Sequence, residues 1–498
     1  MEPFSRSSGI LLHPTSLPGP HGIGDLGPSA YKFLDFLAAS GQTWWQMLPV
    51  NPPGFGESPY SALSSLAGNP LLISLEMLRD EGLLSDYNPR PSFSPIKNRI
   101  DFQSVRHYKH QSLWKAFENF KAIGHIQEFN LFIEKNKKWL NDFVLFQAIK
   151  NNQQGKSWTD WPKNLRTRNK VALAREENRL ANEIFFYEFL QWTFFRQWSQ
   201  LKKRAAKLKI KLMGDVPIFV AHDSADVWHH QKLFKLNANG HPFVRAGVPP
   251  DYFFSKTGQL WGNPLYRWSE HKKDQYDWWT QRLKITLDRF DVIRLDHFIG
   301  FYRAWEVPAR DKTAENGQWV LGPRASFFSA VLKKLRQGAI VAENLGAIIP
   351  PIEKLRKKFK IPGMVVLHFI FAEGPALAKK QMADIGKNTL VYTGTHDNNT
   401  SVGWLNEVIP WDLERRHALA VLQSDGREIN WDLIKLALSS KADLAIVPLQ
   451  DVLGLGEESR MNRPGSTRGN WAWRFEDGDL TKKISDRLLN LAQHFDRT

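Results

Sequence analysis

Eight short apolar or β-branched runs punctuate this chain, at residues 9–13, 43–50, 210–220, 290–298, 339–343, 364–369, 389–395 and 443–449. Most lead into a loop and then a helical pattern. None alternates cleanly with polar residues, so both faces of each strand are covered, as in a parallel sheet flanked by helices. Eight such units predict an α/β chain built as a (β/α)8 TIM barrel. A barrel needs only about 250 residues, and this chain has 498, so large insertions between strands are required. The predicted layout has three parts. Residues 1–76 hold barrel strands 1 and 2 with their active-site loops. Residues 77–205 form a mainly helical insertion, with apolar spacing of three and four residues over 112–122, 126–149 and 173–207. Residues 206–498 complete the barrel and include a Gly- and Pro-rich loop subdomain at 221–275. That subdomain follows the third run directly, where barrel enzymes place loops over their sites.

Composition narrows the function. The 67 basic residues exceed the 51 acidic ones by 16, which raises the question of an anionic partner. The charges are scattered, however. The densest runs, Lys202-Lys203-Arg204 and Lys354-Leu355-Arg356-Lys357-Lys358, fall in helical patterns and read as solvated faces. With no phosphate-loop, zinc-finger or RNP signature, no nucleic-acid partner is expected. Cysteine is absent, which excludes disulfides, iron–sulfur clusters and thiolate chemistry. No apolar run reaches the ~18 residues of a membrane span, and the first residues do not resemble a leader. The expectation is a soluble, cytoplasmic protein with no membrane partner. Nothing in the sequence sets an oligomeric state. Twenty Trp and 32 Phe supply rings, mostly for packing, though those in Gly/Pro-rich loops suit flat ligands such as sugars.

The fourth run, Phe290-Asp291-Val292-Ile293-Arg294-Leu295-Asp296-His297-Phe298, breaks its apolar pattern with two charges. In a strand, Arg294 and Asp296 share a face. Burying both is costly unless they pair. A structural ion pair and an active-site aspartate kept ionised by Arg294 are equally open readings of these nine residues. Three more carboxylates end apolar runs: Asp215 after the third, Glu343 after the fifth and Asp397 after the seventh. Four carboxylates on one barrel rim repel one another, which favours a metal or acid/base chemistry over packing. An enolase-type magnesium site lacks a lysine base at a strand end and would be repelled by Arg294. Glycoside chemistry fits better, because it needs one ionised and one protonated carboxyl group. No metal or organic cofactor is then required.

At these positions the chain resembles glycoside hydrolase family 77, the 4-α-glucanotransferases or amylomaltases. The resemblance runs from Gly9 to about Phe475. It includes Leu11-Leu12-His13-Pro14-Thr15-Ser16-Leu17-Pro18-Gly19, Gly22-Ile23-Gly24-Asp25-Leu26-Gly27 and Ser58-Pro59-Tyr60. It continues with Gly214-Asp215-Val216-Pro217-Ile218, Gly258-Gln259-Leu260-Trp261-Gly262-Asn263-Pro264 and Arg294-Leu295-Asp296-His297-Phe298. Gly394-Thr395-His396-Asp397-Asn398 and Met461-Asn462-Arg463-Pro464-Gly465 complete it. The resemblance implies Asp296 as nucleophile, Glu343 as general acid/base and Asp397 as a third carboxylate on the donor sugar. It further implies that Asp215, Arg294, His297 and His396 line the donor subsite, and that Tyr60, Tyr252, Phe253, Gln259, Trp261 and Asn263 contact neighbouring sugars. Without the motif context, packing is the favoured reading of Tyr60 and Trp261, and His396 could equally be a core histidine. His13 and Ser16 are within the range of side chains that could reach a ligand.

The implied reaction moves a segment of an α-1,4-glucan donor to the 4-hydroxyl of an acceptor glucose or maltooligosaccharide, by retaining double displacement. Hydrolysis of the same bond shares the first half-reaction, and a magnesium-dependent lyase is the more distant alternative. Four positions depart from the family pattern. Asn344 and Asn399 stand where acidic residues are usual, His368 where Gln is frequent, and Ile299 where Arg is frequent. Loss of two negative charges beside Glu343 would lower its pKa, if those positions face it.

Overall fold

The computed structural model describes residues 4–85, 91, 93, 95–124, 127–250, 256–336, 338–407, 413–466 and 468–498. Eight strands form one parallel sheet: β1 (Ser7–Leu11), β2 (Trp44–Gln46), β3 (Lys211–Val216), β4 (Val292–Leu295), β5 (Ile340–Ala342), β6 (Gly363–Val366), β7 (Thr389–Tyr392) and β8 (Leu444–Pro448). Each overlaps one of the eight apolar runs. Neighbours follow chain order, with β8 returning to pair β1, Gly9 opposite Ile446. Between β5 and β6 the amide of Ala342 donates to the carbonyl of Pro362 at 2.8 Å, which closes the ring. The result is a (β/α)8 barrel, as the spacing of the runs predicts. β1, β4 and β8 are buried at every position. Near-closure leaves little free edge, so the strands can be covered on both faces and stay largely apolar.

Helices alternate with the strands around the outside. Pro28–Ala39 follows β1, Asp277–Arg289 follows β3 and Pro350–Lys358 follows β5. Ile429–Ser439 and Lys482–His494 follow β7 and β8. The chain between β2 and β3 folds largely into the helices Phe102–Ile123, Gln127–Asn152, Lys170–Arg179 and Ala181–Lys207. Asp101 starts the first of these by accepting from the Ser104 amide, and Gly124, at φ +87°, ends it. The apolar spacing over 173–207 belongs to two helices with a corner at Leu180 (φ −106°, ψ 22°). A one-residue corner barely shifts the phase of the pattern, which is why it reads as continuous. Many of the aromatics pack here: Phe120 lies 4.9 Å from Phe189 and 5.2 Å from Trp192, ring centre to ring centre. Lys109, fully buried, fastens this layer to the barrel. Its ammonium donates to Asp25 at 3.0 Å and to the carbonyls of Leu71 and Ile73 at 2.7 and 2.8 Å.

A second, antiparallel sheet of four strands stands over the barrel mouth, with Val244–Val248 and Gln259–Pro264 from the segment after β3. Arg303–Pro308 and Gln318–Leu321, from the segment after β4, complete it. Val244–Val248 pairs with Arg303–Pro308, so two consecutive barrel loops share one sheet. Residues 221–275, read from sequence as loop, therefore contribute half of its strands. Among the described residues no helix is long and apolar enough to cross a membrane.

Candidate active site

β3 and β4 pair in register with Asp215 opposite Arg294. Arg294 Nη1 donates to both Asp215 oxygens, at 2.9 and 2.7 Å, and to Asp296 Oδ1 at 2.9 Å. Both Asp215 and Arg294 are buried. One guanidinium thus compensates two carboxylates, and the desolvation that would otherwise be prohibitive is offset by charge and hydrogen bonding. Asp296 is the first residue past β4, and its amide still bonds the Val216 carbonyl at 3.0 Å. The shared face predicted for Arg294 and Asp296 is what lets one guanidinium reach both.

The backbone turns sharply after Asp296. His297 adopts φ +51°, an uncommon left-handed conformation for a residue with a side chain. The turn aims its N–H at Glu343 Oε2, at 2.7 Å. Glu343 is the first residue past β5, and its other oxygen accepts from the Leu345 amide at 2.9 Å. Burial pushes this carboxyl up to about 7; Arg294 opposes the shift, while the charge of Asp296 adds to it. Two carboxylates on adjacent strands therefore meet different conditions. Asp296 has a salt bridge, whereas Glu343 holds its proton near neutrality.

Asp397 lies in the loop after β7, its side chain nearly half exposed. Asn462 Nδ2 donates to its Oδ1 at 2.6 Å, and His396 Nε2 sits 3.3 Å from its Oδ2. Burial would raise this carboxyl, but His396 and the two hydrogen bonds outweigh it and hold Asp397 well below the usual carboxylate range. The same contact raises His396 against the pull of burial. Tyr60 closes the group. Its hydroxyl donates to Asp215 Oδ2 at 2.8 Å and its ring stacks on His396 at 5.0 Å and 18°. Tyr60 thus both packs and hydrogen-bonds.

Gln259, Trp261 and Asn263 lie on one strand, whose pairing is irregular between Leu260 and Pro264, with Gly262 at φ +83°. Trp261, 38% exposed, meets the His297 ring edge-on at 4.8 Å. Its Nε1 donates to Gln259 Oε1 at 3.0 Å, and Asn263 Nδ2 donates to the Val220 carbonyl at 2.9 Å. Burial lowers His297 to about 4, so its ring is neutral at pH 7. Tyr252 and Phe253 lie outside the described residues. His13 and Ser16 are buried, and His13 lines a cavity behind His396 together with Thr395, Asp451, Arg460 and Met461.

Two residues with direct contacts to Asp397 have no role in the sequence reading. Asn462 bonds its carboxylate, and Arg460 donates to its backbone carbonyl at 2.9 Å and to that of Asn462 at 2.8 Å. The motif containing Asn462 was visible, but not its approach to a residue 65 positions away.

The side chains at the departures Asn344 and Asn399 hydrogen-bond away from Glu343. Asn344 donates to Glu353 at 2.8 Å and accepts from the Met364 amide at 2.8 Å, on the helix side of the barrel wall. Asn399 donates to Glu407 at 2.9 Å. Both amides are thus engaged by other carboxylates, Glu353 and Glu407, rather than by Glu343. His368 stacks on Trp404 at 4.8 Å and contacts Ser401 Oγ at 3.2 Å. Ile299 is buried.

The sequence matches the profile of the family described as 4-alpha-glucanotransferase, glycoside hydrolase family 77, over residues 12–481. The chain belongs to the 4-alpha-glucanotransferase family. It is 46% identical to the 4-alpha-glucanotransferase of Synechocystis sp., over 99% of this chain and 98% of that one. It is 43% identical to the enzyme of Thermus thermophilus, over 99% of each. Among solved structures, an amylomaltase from Streptococcus agalactiae in complex with acarbose superposes with a TM-score of 0.94 at 35% identity, covering 99% of both chains. The whole length of this 4-alpha-glucanotransferase family member, insertion and second sheet included, is thus shared with its relatives.

Proposed function

We propose that this protein transfers a segment of an α-1,4-glucan donor to the 4-hydroxyl of glucose or a maltooligosaccharide, with Asp296 as nucleophile and Glu343 as general acid/base. The observation that carries the reading is the unequal pair of carboxylates. Asp296 is salt-bridged to Arg294, while buried Glu343 is pushed up to about 7. A retaining double displacement needs this division of roles.

Asp296 attacks the anomeric carbon while Glu343 protonates the departing 4-oxygen, leaving a glycosyl-enzyme. The acceptor 4-hydroxyl then gives its proton to Glu343, attacks the same carbon and releases Asp296, so configuration is retained. Asp397, with Asn462 and His396 fixing its oxygens, is suited to grip donor hydroxyls and favour a distorted ring. Tyr60 and Arg294 orient Asp215 beside it. The strand bearing Gln259, Trp261 and Asn263, with its partly exposed indole, offers contacts for flanking sugars and shields the intermediate from water. Tyr252 and Phe253 belong to the same proposed contact group.

The test is product analysis after incubation with maltotriose. Transfer predicts glucose plus a ladder of longer maltooligosaccharides. Glucose and maltose without a ladder would identify a hydrolase, and loss of activity in chelator would revive the magnesium lyase reading.

A further inference from the structure

Asp451 lies in the short helix Leu449–Leu453 that follows β8, with only 1% of its surface exposed. Its two oxygens serve two places that lie 58 and 50 positions away in sequence. Oδ2 accepts from the Thr393 hydroxyl at 2.5 Å, and Oδ1 accepts from the Ser401 amide at 2.7 Å. Thr393 is the first residue past β7, and Ser401 opens the helix Ser401–Glu407. Between them runs the loop 394–400, which carries His396 and Asp397. A buried carboxylate at a helix start is ordinarily a cap. Here the same group also ties down the other end of the loop.

Two further contacts fix what Asp451 grips. The Asp451 carbonyl accepts from Asn430 Nδ2 at 2.8 Å, which anchors the short helix to the helix Ile429–Ser439. His368 fills the space beneath the loop: a Cβ added at Gly394 would meet its ring at 2.8 Å. With its ends pinned and its underside filled, the loop has little freedom to shift. Asp397 is further restrained by Asn462, Arg460 and His396, and its amide donates to the Thr395 hydroxyl at 3.3 Å.

We infer that Asp451 is a positioning residue for the transfer reaction, one buried carboxylate that clamps both ends of the loop presenting His396 and Asp397. It makes none of the side-chain contacts to Asp397 described above and acts through the loop. The inference rests on the proposed role of Asp397 at the donor sugar.

A displacement of about 1 Å at a substrate-positioning group costs about 100-fold in rate. Asp451→Ala is expected to lower kcat on maltotriose by about that factor, with KM changed less than about threefold. The discriminating measurement is a double-mutant cycle with Asp397→Ala. It is run on an α-maltosyl fluoride donor, whose leaving group needs no protonation, so slow variants stay measurable. If Asp451 acts through Asp397, its loss in the Asp397→Ala background costs less than about threefold. An equal cost in both backgrounds, or an unchanged kcat in Asp451→Ala, overturns the clamp. Should Asp451→Ala not fold, Thr393→Val carries the same cycle. It removes one of the two ties and is expected to cost about tenfold in kcat, and an unchanged kcat there also overturns the proposal. Full activity in Asp397→Ala alone would instead defeat the role of Asp397, so the two failures are distinguishable.

Discussion

The backbone N–H of His297 donates to the carboxylate of Glu343 at 2.7 Å. Because His297 directly follows Asp296, the two proposed catalytic groups are joined through a single peptide link. That link carries electrostatics as well as geometry. As the proposed general acid, Glu343 must be protonated, so the rate is expected to fall as pH rises through about 7. The charge of Asp296 contributes to that raised value. Asp296→Asn is therefore expected to lower the Glu343 pKa, read by difference infrared titration of the carboxyl band. An unmoved band would show that the two groups do not communicate.

Glu343 also links stability to pH. Its carboxyl is raised in the folded state from the ordinary 4.5 to about 7. Its contribution to stability is thus fully present below about 4.5 and lost as pH rises through about 7, a swing on the order of 3 kcal/mol. Glu343→Gln cannot titrate. Its Tm relative to the parent should therefore climb across that window, whatever the offset at low pH from the lost second acceptor. Parallel Tm profiles would contradict this.

Arg294 and Asp296 should separate fold from function. In Asp296→Asn the guanidinium keeps both bonds to Asp215, so folding is expected to stay intact while turnover falls by at least about 10³-fold. Arg294→Met instead strands Asp215, buried and negative, without its partner. A loss of about 3–5 kcal/mol is expected, measured by urea denaturation. A Tm for Arg294→Met equal to that of Asp296→Asn would refute the distinction.

Trp261→Ala should alter partition more than chemistry. Its indole stands edge-on to His297 and is partly open to solvent. Removing it admits water beside the glycosyl-enzyme. The hydrolysis share of product from maltotriose is expected to rise several-fold while donor consumption changes by less than about tenfold. Quantifying glucose released per transfer event decides the matter.

The barrel was legible because each of its strands needs apolar residues on both faces, and such runs stand out between helical patterns. The charged pair in the fourth run was equally legible, since Arg294 and Asp296 contradict their surroundings. The second sheet was not. Val244-Arg245-Ala246-Gly247-Val248 and Gln259-Leu260-Trp261-Gly262-Asn263-Pro264 are rich in Gly and Pro and lack β-branched alternation. They are strands because Arg303–Pro308, nearly 60 residues on from the first, offers a pairing edge. Asn462 and Asp451 escaped for a related reason. A neutral amide and a lone aspartate carry no local signal, and only the folded chain brings them to Asp397 and to the base of its loop. The largest cause of the raised Glu343 pKa is burial, which no residue pattern displays, with the charge of Asp296 adding to it.

The sheet over the barrel mouth has one further consequence. Its strands come from two consecutive barrel loops, and the pairing of Val244–Val248 with Arg303–Pro308 is the seam. Neither strand of the seam can be removed without leaving the other unpaired along that edge. Any change of substrate range by loop replacement, in the laboratory or by recombination between relatives, must therefore carry residues 244–321 as a single cassette, with Asp296 and its salt bridge inside it.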